Sequence, residues 1–515
     1  MSHLTGNKHS DNARIHARGA VLCIAAIAAL FAVGCGSEQV GPGNLCESSS
    51  DCHDGLQCLN NVCTPQCSSH IECGDGFLCN SGECDQVVSE LGVSCNRELD
   101  CGPGQTCELD LFDTDGDGTL TSSCQEDQVG SVTGSVCTQN SDCRNGTCAI
   151  GRCTEVCQVD DDCPSTLACV TIPRLLVNSA PTFKGCFQAS GNLKVEVPMS
   201  GASQRLRIPV PSHAKSFALV SQTDDETQAV GAALVLDPSG RQLYKTPNQP
   251  DDIYLNPLRY EPSLRVSTLL VPNVADVASI YDLKLEQGVY TIDVQSFGAA
   301  GTIGSVIPKV SLIYKLDTAG TLDLNFYFLD TNDHPCHVVT AESAKTTSDF
   351  QVQYLERLRS IFSGVLAIGD VTYQDVSRPD LNSIDAERLP RLNELSTTDS
   401  GVNIFFVRSI SPPGIQALAG GTPGPPNIAG TSASGIAISL DTLCYRDFTI
   451  LARTTAHQIG RHMGLFRNLQ PDGVHPDTIP DSLADSTNLM YFGEFGGTVL
   501  SEGQKTVLRL YPGLR

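Results

Sequence analysis

Hydrophobic and polar positions divide this 515-residue chain into stretches of different texture. From about Gly191, short apolar runs alternate with polar residues at period two, which predicts half-buried strands. The clearest are Leu193 to Val197, Leu206 to Val210, Ser216 to Val220, Ala232 to Leu236, Tyr290 to Val294 and Lys309 to Tyr314. Turn residues separate them, as in Asp237-Pro238-Ser239-Gly240 and Glu286-Gln287-Gly288. So many short strands within residues 191–320 predict an all-β sandwich.

The pattern changes again at residue 321. Leu322, Leu324, Phe326 and Phe328 alternate as one face of a strand. Phe350, Tyr354, Leu355, Leu358, Ile361 and Phe362 then recur at helical spacing, with Ser348 or Asp349 placed to cap the helix. Val402 to Val407 is a continuous apolar run, expected as a buried strand. A Gly- and Pro-rich loop over Ser411 to Gly435 leads into a further strand, Gly435 to Leu440. The last long helix is expected from about Phe448 to Gly464, where a glycine can take the left-handed conformation that ends a helix.

The N-terminus has a different character. Lys8, Arg14 and Arg18 precede the apolar run Ala20 to Gly34, which is too short to span a bilayer and fits the core of a signal peptide. Ala32-Val33-Gly34-Cys35 resembles the lipobox of bacterial lipoproteins, which implies lipidation of Cys35 and residues 1–35 as the signal. Residues 36–45 are rich in Gly, Pro and polar side chains, as a tether would be. The expectation is an exported protein held by a lipid at a bacterial membrane, the outer membrane or cell surface in particular.

Cysteine usage agrees with export. Of 24 cysteines, 20 lie between Cys46 and Cys186 and fall into five groups of four: Cys46/52/58/63, Cys67/73/79/84, Cys95/101/107/124, Cys137/143/148/153 and Cys157/163/169/186. In every group five residues separate the first two cysteines, and an acid directly precedes the second: Asp51, Glu72, Asp100, Asp142 and Asp162. This predicts a disulfide-rich repeat over residues 46–190, each unit being too small to build a core of its own. Three connectivities per unit are open. Zinc clusters are disfavoured, because the spacing is wider than a zinc knuckle and the compartment oxidises thiols. Cys336 and Cys444 are a further candidate pair.

The repeats also carry most of the charge. Residues 36–190 hold 23 acidic against 5 basic side chains, in a chain whose net charge is -25. Such a surface excludes nucleic acid as a partner and suits cations or basic partners. Within the third repeat, Asp113, Asp115 and Asp117 alternate and Gly118 follows, the opening of a calcium loop. Its twelfth position is Cys124 rather than a bidentate Glu, so no complete EF-hand is present. Calcium is the candidate cofactor.

The chemistry-bearing stretch is His457-Gln458-Ile459-Gly460-Arg461-His462-Met463-Gly464-Leu465-Phe466-Arg467. It keeps the first His and the Gly of the zinc-protease pattern H-E-x-x-H-x-x-G-x-x-H, with Gln458 for the general base and Arg461 and Arg467 for the other two ligands. An Arg guanidinium has no lone pair for zinc, and an amide is no base at neutral pH. His462 lies roughly 140° around the helix from His457 and cannot share a metal with it. With Asn488-Leu489-Met490-Tyr491 further on, the order of strand, helix, strands, helix and turn resembles the metzincin clan of zinc endopeptidases over residues 321–515. That resemblance implies an α/β fold, with Met490 in the turn beneath the site and a helix closing the domain after Leu500. The sandwich resembles the jelly-roll accessory domains of secreted bacterial peptidases.

The expected function is therefore that of a pseudopeptidase: a lipid-anchored protein that binds polypeptide in a peptidase-like cleft without cutting it and without retaining zinc. Two other readings stay open at this stage. One is an active zinc endopeptidase with ligands drawn from His457, His475, Asp477 or Asp481. The other is a structural, calcium-binding stalk that anchors partners.

Overall fold

The computed structural model describes residues 43–515 except 54–55, 60, 66, 69, 74–76, 81, 111–112, 114, 177–178, 248–255, 261, 274–282, 299–301, 471–472, 478, 483 and 494. Cys35, the signal-like segment and most of the tether lie outside the described residues. The chain divides into two compact units, Met1–Pro65 and Gln66–Arg515.

The first unit contains one repeat. A short helical turn, Ser49–Asp51, precedes a hairpin of Leu56–Leu59 with Val62–Pro65. Cys46 bonds Cys58 and Cys52 bonds Cys63. The same first-to-third, second-to-fourth pairing holds in the other four repeats. In each hairpin the third and fourth cysteines stand directly opposite one another, yet each reaches back to the loop before it, so two disulfides clamp that loop under the hairpin. Three sulfurs in each repeat come within 4.8 Å of one another, as in a metal cluster, but all are consumed in disulfides.

The acids before the second cysteines have a structural task. The carboxylate of Asp51 accepts the backbone N–H groups of Glu47 and Ser48, at 3.0 and 2.9 Å. Asp142 does the same for Thr138 and Gln139, and Asp162 for Gln158 and Val159. Asp100 accepts from Asn96 and Glu72 from Ser68. Each acid thus closes the loop that the disulfides clamp, supplying the acceptor that a loop too short for regular structure lacks.

In the second unit the sandwich is built from β1 (Asn192–Val197), β2 (Ser203–Val210), β3 (Ser216–Gln222), β4 (Ala229–Leu236), β5 (Gln242–Lys245), β6 (Ser263–Leu264), β7 (Val266–Val271), β8 (Gly288–Phe297) and β9 (Lys309–Lys315). One antiparallel sheet has the order β1-β9-β3-β7; the other has β2-β8-β4-β5, with β6 also on β4. Phe217 and Leu219 of β3 point into the core between the sheets, together with Tyr290, Ile292 and Tyr314. That core extends into the repeats: Leu109, Phe183 and Phe187 belong to the same buried cluster. A repeat without a core of its own is therefore completed by the sandwich, and Arg97 of the third repeat ties it to Asp162 of the fifth at 3.3 Å.

The last domain is a five-stranded sheet of β10 (Thr321–Leu329), β11 (Ala367–Val376), β12 (Val402–Val407), β13 (Ala417–Ala419) and β14 (Ile436–Ser439) in the order β11-β10-β12-β14-β13. All neighbours are parallel except the edge strand β13. Leu322, Leu324, Phe326 and Phe328 face the helices, while Tyr327 and Leu329 face the other side, as the alternation predicts. The first helix begins earlier than expected: α1 (Ala341–Thr346) is capped by Thr340, whose hydroxyl accepts from Ser343 N. Ser348 makes no side-chain cap; it leads into a π-helical stretch, Asp349–Glu356, continued by α2 (Arg357–Phe362). The long helix is α3 (Phe448–His462), and α4 (Glu502–Arg509) closes the chain. Cys336 and Cys444 are bonded, tying the segment after β10 to the turn before α3.

The sandwich and the last domain share an interface. Val220, Val266 and Ile313, the outward residues of their sheet, are buried with Ile428 and Ala433 of the loop before β14. This explains why nearly every residue of β3 and β7 is buried, since both faces of that sheet are covered.

Candidate functional site

Helix α3 starts at Asp447, whose carboxylate accepts Thr449 N and Ile450 N at 3.0 and 3.1 Å. The Thr449 hydroxyl, donating to the same carboxylate at 2.6 Å, and these backbone bonds hold its pKa below the usual carboxylate range. It ends at Gly464, which sits at φ 104°. A side chain there would meet Leu270 of β7, so the turn needs glycine both for its backbone and for the sandwich packed against it.

One turn before His457, the buried Arg453 organises the segment opposite. Its guanidinium donates to four backbone carbonyls: Leu489 at 3.1 Å, Tyr491 at 3.0 Å, Gly493 at 3.2 Å and Gly497 at 3.3 Å. Four well-placed acceptors offset the burial of its charge. Met490, within this segment, lies under the helix: a Cβ on Gly460 would approach its sulfur to 2.9 Å. Asn488 locks the turn, accepting Met490 N at 2.8 Å and donating to Gln504 of α4 at 2.9 Å.

His457 Nδ1 is 2.9 Å from the carbonyl oxygen of Leu489. A carbonyl only accepts, so Nδ1 carries the proton and Nε2 holds the lone pair. Burial, reinforced by the positive charges of Arg453, Arg461 and Arg467, depresses the His457 pKa to about 3. The ring is therefore neutral at physiological pH. Gln458 Nε2 donates to Ala417 O of β13 at 3.4 Å, and its buried Oε1 has no partner among the described residues. Arg461 donates to Thr422 Oγ1 at 3.1 Å. Among the described residues Arg467 makes neither hydrogen bond nor ion pair, and its buried Nε is left without an acceptor.

The structure thus brings His457, Arg461 and Arg467 into one electrostatic neighbourhood, with Met490 beneath. This donor set does not fit zinc: one imidazole nitrogen lies in the field of guanidinium groups that repel a cation and cannot ligate it. His462 belongs elsewhere. It is fully buried, its ring against Gly424 and edge-on to Tyr511, and burial lowers its pKa to about 4. Asp481 is taken up at the start of α4, accepting Ser501 Oγ and Gly503 N. Asp477 accepts Ile479 N and burial raises its pKa to about 7. His475 sits on a short turn with its carbonyl on Gln470 N.

In the third repeat both oxygens of Asp113 accept backbone N–H groups, from Gly116 at 2.8 Å and Gly118 at 3.0 Å. Asp115 and Asp117 accept from Asp117 N and Thr119 N. The loop is shaped by its own carboxylates, and both Gly116 and Gly118 have positive φ. Arg453 and the loop-closing role of the repeat acids escaped the sequence. The available signal was a lone Arg among the otherwise uncharged residues Phe448 to Gly460, and an acid always five residues after the first cysteine.

No helix among the described residues is long and apolar enough to cross a membrane. No protein-family model matches the chain, and no curated protein matches its sequence.

Proposed function

We propose that this chain is an exported, lipid-anchored bacterial protein whose last domain has a metzincin-like fold without metzincin chemistry, and that it binds polypeptide rather than cleaving it. Ten disulfides in the repeats and one in the last domain support an oxidising compartment. The resemblance is supported by the order of elements: parallel strands, a long helix ended by a glycine, and a methionine turn packed under that helix.

The observation that carries the reading is the placement of Arg461 and Arg467 around His457. Where the resemblance would put two more zinc ligands, two fixed positive charges stand. Gln458 cannot take a proton from water, and without metal no water is activated. What remains is a surface for binding. Among the described residues edge strand β13 packs beside α3 and pairs only with β14, and the N–H groups of Ala417 and Ala419 point away from that pairing, so this edge suits an added strand of extended polypeptide. Arg467, without a partner among the described residues, suits a carboxylate on that polypeptide.

The test is saturable binding of extended peptides to the whole chain, with mass spectrometry of the peptide afterwards. The reading expects binding, intact peptide and weaker binding in Ala419→Pro, which removes an N–H that points away from β14. Cleaved peptide would contradict it.

A further inference from the structure

A cavity of about 500 Å³ lies between the fourth repeat and the open side of the sandwich. Buried Ile208 of β2 and Leu312 of β9 line it, with Ile150, Leu176, Val195 and Val197 as partly buried walls. This size and lining suit a small, largely apolar ligand.

Arg174 lines the same cavity and is only 8% exposed. Its backbone N–H donates to Pro181 O at 2.8 Å. Among the described residues its guanidinium makes no hydrogen bond and no ion pair, and Nη1 is buried without a partner. Glu108 acts on it only from beyond ion-pair distance, and Glu108 is itself bonded to Gln128. An arginine does not shed its proton, so a buried, unsatisfied guanidinium is costly until an anion meets it.

The other charged groups at the cavity are accounted for. Arg207 donates to Leu176 O and Ser179 O at 2.7 and 2.9 Å, which leaves its charge positive at the rim. Glu196 is exposed, bonded to Ser311 Oγ and paired with Lys194 at 3.5 Å. In a chain of net charge -25, this apolar cavity thus has in its wall a buried cation with no anion against it among the described residues.

We propose that this cavity binds a small aliphatic carboxylate, its chain along Ile150, Leu176 and Val195 and its carboxylate on the Arg174 guanidinium. This inference is independent of the peptide-binding reading of the last domain.

Titration calorimetry on the whole chain with decanoate, 1-decanol and acetate tests it. Decanoate is expected to bind saturably at one site, with decanol and acetate each at least about tenfold weaker. Arg174→Gln removes a charge-assisted bond and should weaken decanoate by roughly ten- to hundredfold while sparing decanol. Leu176→Asp, at a partly exposed wall position, should abolish decanoate binding without depending on a buried residue for folding. Absence of decanoate binding at millimolar concentration overturns the proposal. So does decanol or acetate binding as tightly as decanoate, or an unchanged decanoate affinity in Arg174→Gln.

Discussion

His457 and Leu489 are joined by a 2.9 Å hydrogen bond from Nδ1 to the carbonyl oxygen, and the same carbonyl accepts Arg453 at 3.1 Å. One backbone oxygen thus sets the tautomer of the histidine and anchors the turn that carries Met490. The Nε2 lone pair of the ring is left free by that bond, while the positive charges of Arg453, Arg461 and Arg467 act on the same ring.

The ionisation of His457 follows from that arrangement. Its folded pKa of about 3 lies below the ordinary 6.5, so the unfolded chain takes the proton first. It therefore contributes stability that grows as pH rises from about 3 to 6.5, and His462, at about 4, acts in the same direction. Nitrogen-15 NMR of the imidazoles should show His457 as the Nδ1–H tautomer from pH 8 down to about 4. Titration near 6.5 would contradict the geometry.

Buried carboxyls act in the opposite sense. Glu98 accepts Thr106 Oγ1 and Cys107 N, both at 3.0 Å, and burial raises its pKa from 4.5 to about 7. The folded state keeps that proton longer, so stability falls as pH rises from about 4.5 to 7. The loss is about 3 kcal/mol for Glu98 at full extent. Glu98→Gln should flatten the melting temperature across this window; an unchanged slope would show that Glu98 is not the group responsible.

Arg453→Met should destabilise the last domain by at least about 3 kcal/mol, because four carbonyls lose their donor at once. Denaturant unfolding measures the loss, and limited proteolysis should show earlier cutting between Leu489 and Gly497. A variant as stable as the parent would mean that water replaces the guanidinium without cost.

In the fourth repeat, Asp142 is held at a pKa of about 2 by the N–H and hydroxyl of Thr138 and the N–H of Gln139. Its contribution is present above the ordinary 3.8 and lost as pH falls through about 2. Asp142→Ala should speed amide hydrogen exchange at Thr138 and Gln139 and reduction of Cys137–Cys148 and Cys143–Cys153. Unchanged exchange would show that the disulfides alone close the loop.

Much of this architecture was legible in the pattern of residues. Every sandwich strand named from alternation is present: in β1, β2 and β8 one face meets the core and the other does not, whereas β3 is covered on both faces. Edge strands were harder to see. In β11 the partly exposed Ile368, Val371 and Tyr373 alternate with exposed positions, and β13 is three residues inside a Gly- and Pro-rich stretch. The five repeats announced their disulfides but not their connectivity, since facing cysteines in each hairpin bond elsewhere. Nor could local spacing reveal that Phe183 and Phe187 complete the sandwich core. At the candidate site, the identities of Gln458, Arg461 and Arg467 carried the chemistry by themselves. The partners of Arg453 lie 36 to 44 residues further along the chain and required the fold.

The most direct measurement is the zinc content of the folded chain by mass spectrometry after dialysis against zinc, beside the triple variant Gln458→Glu, Arg461→His, Arg467→His. The account predicts no stoichiometric zinc in the parent, and about one equivalent in the variant because His457 is already oriented to ligate. One zinc per parent chain, lost on His457→Ala, would contradict the central claim and establish a metal centre built from other ligands.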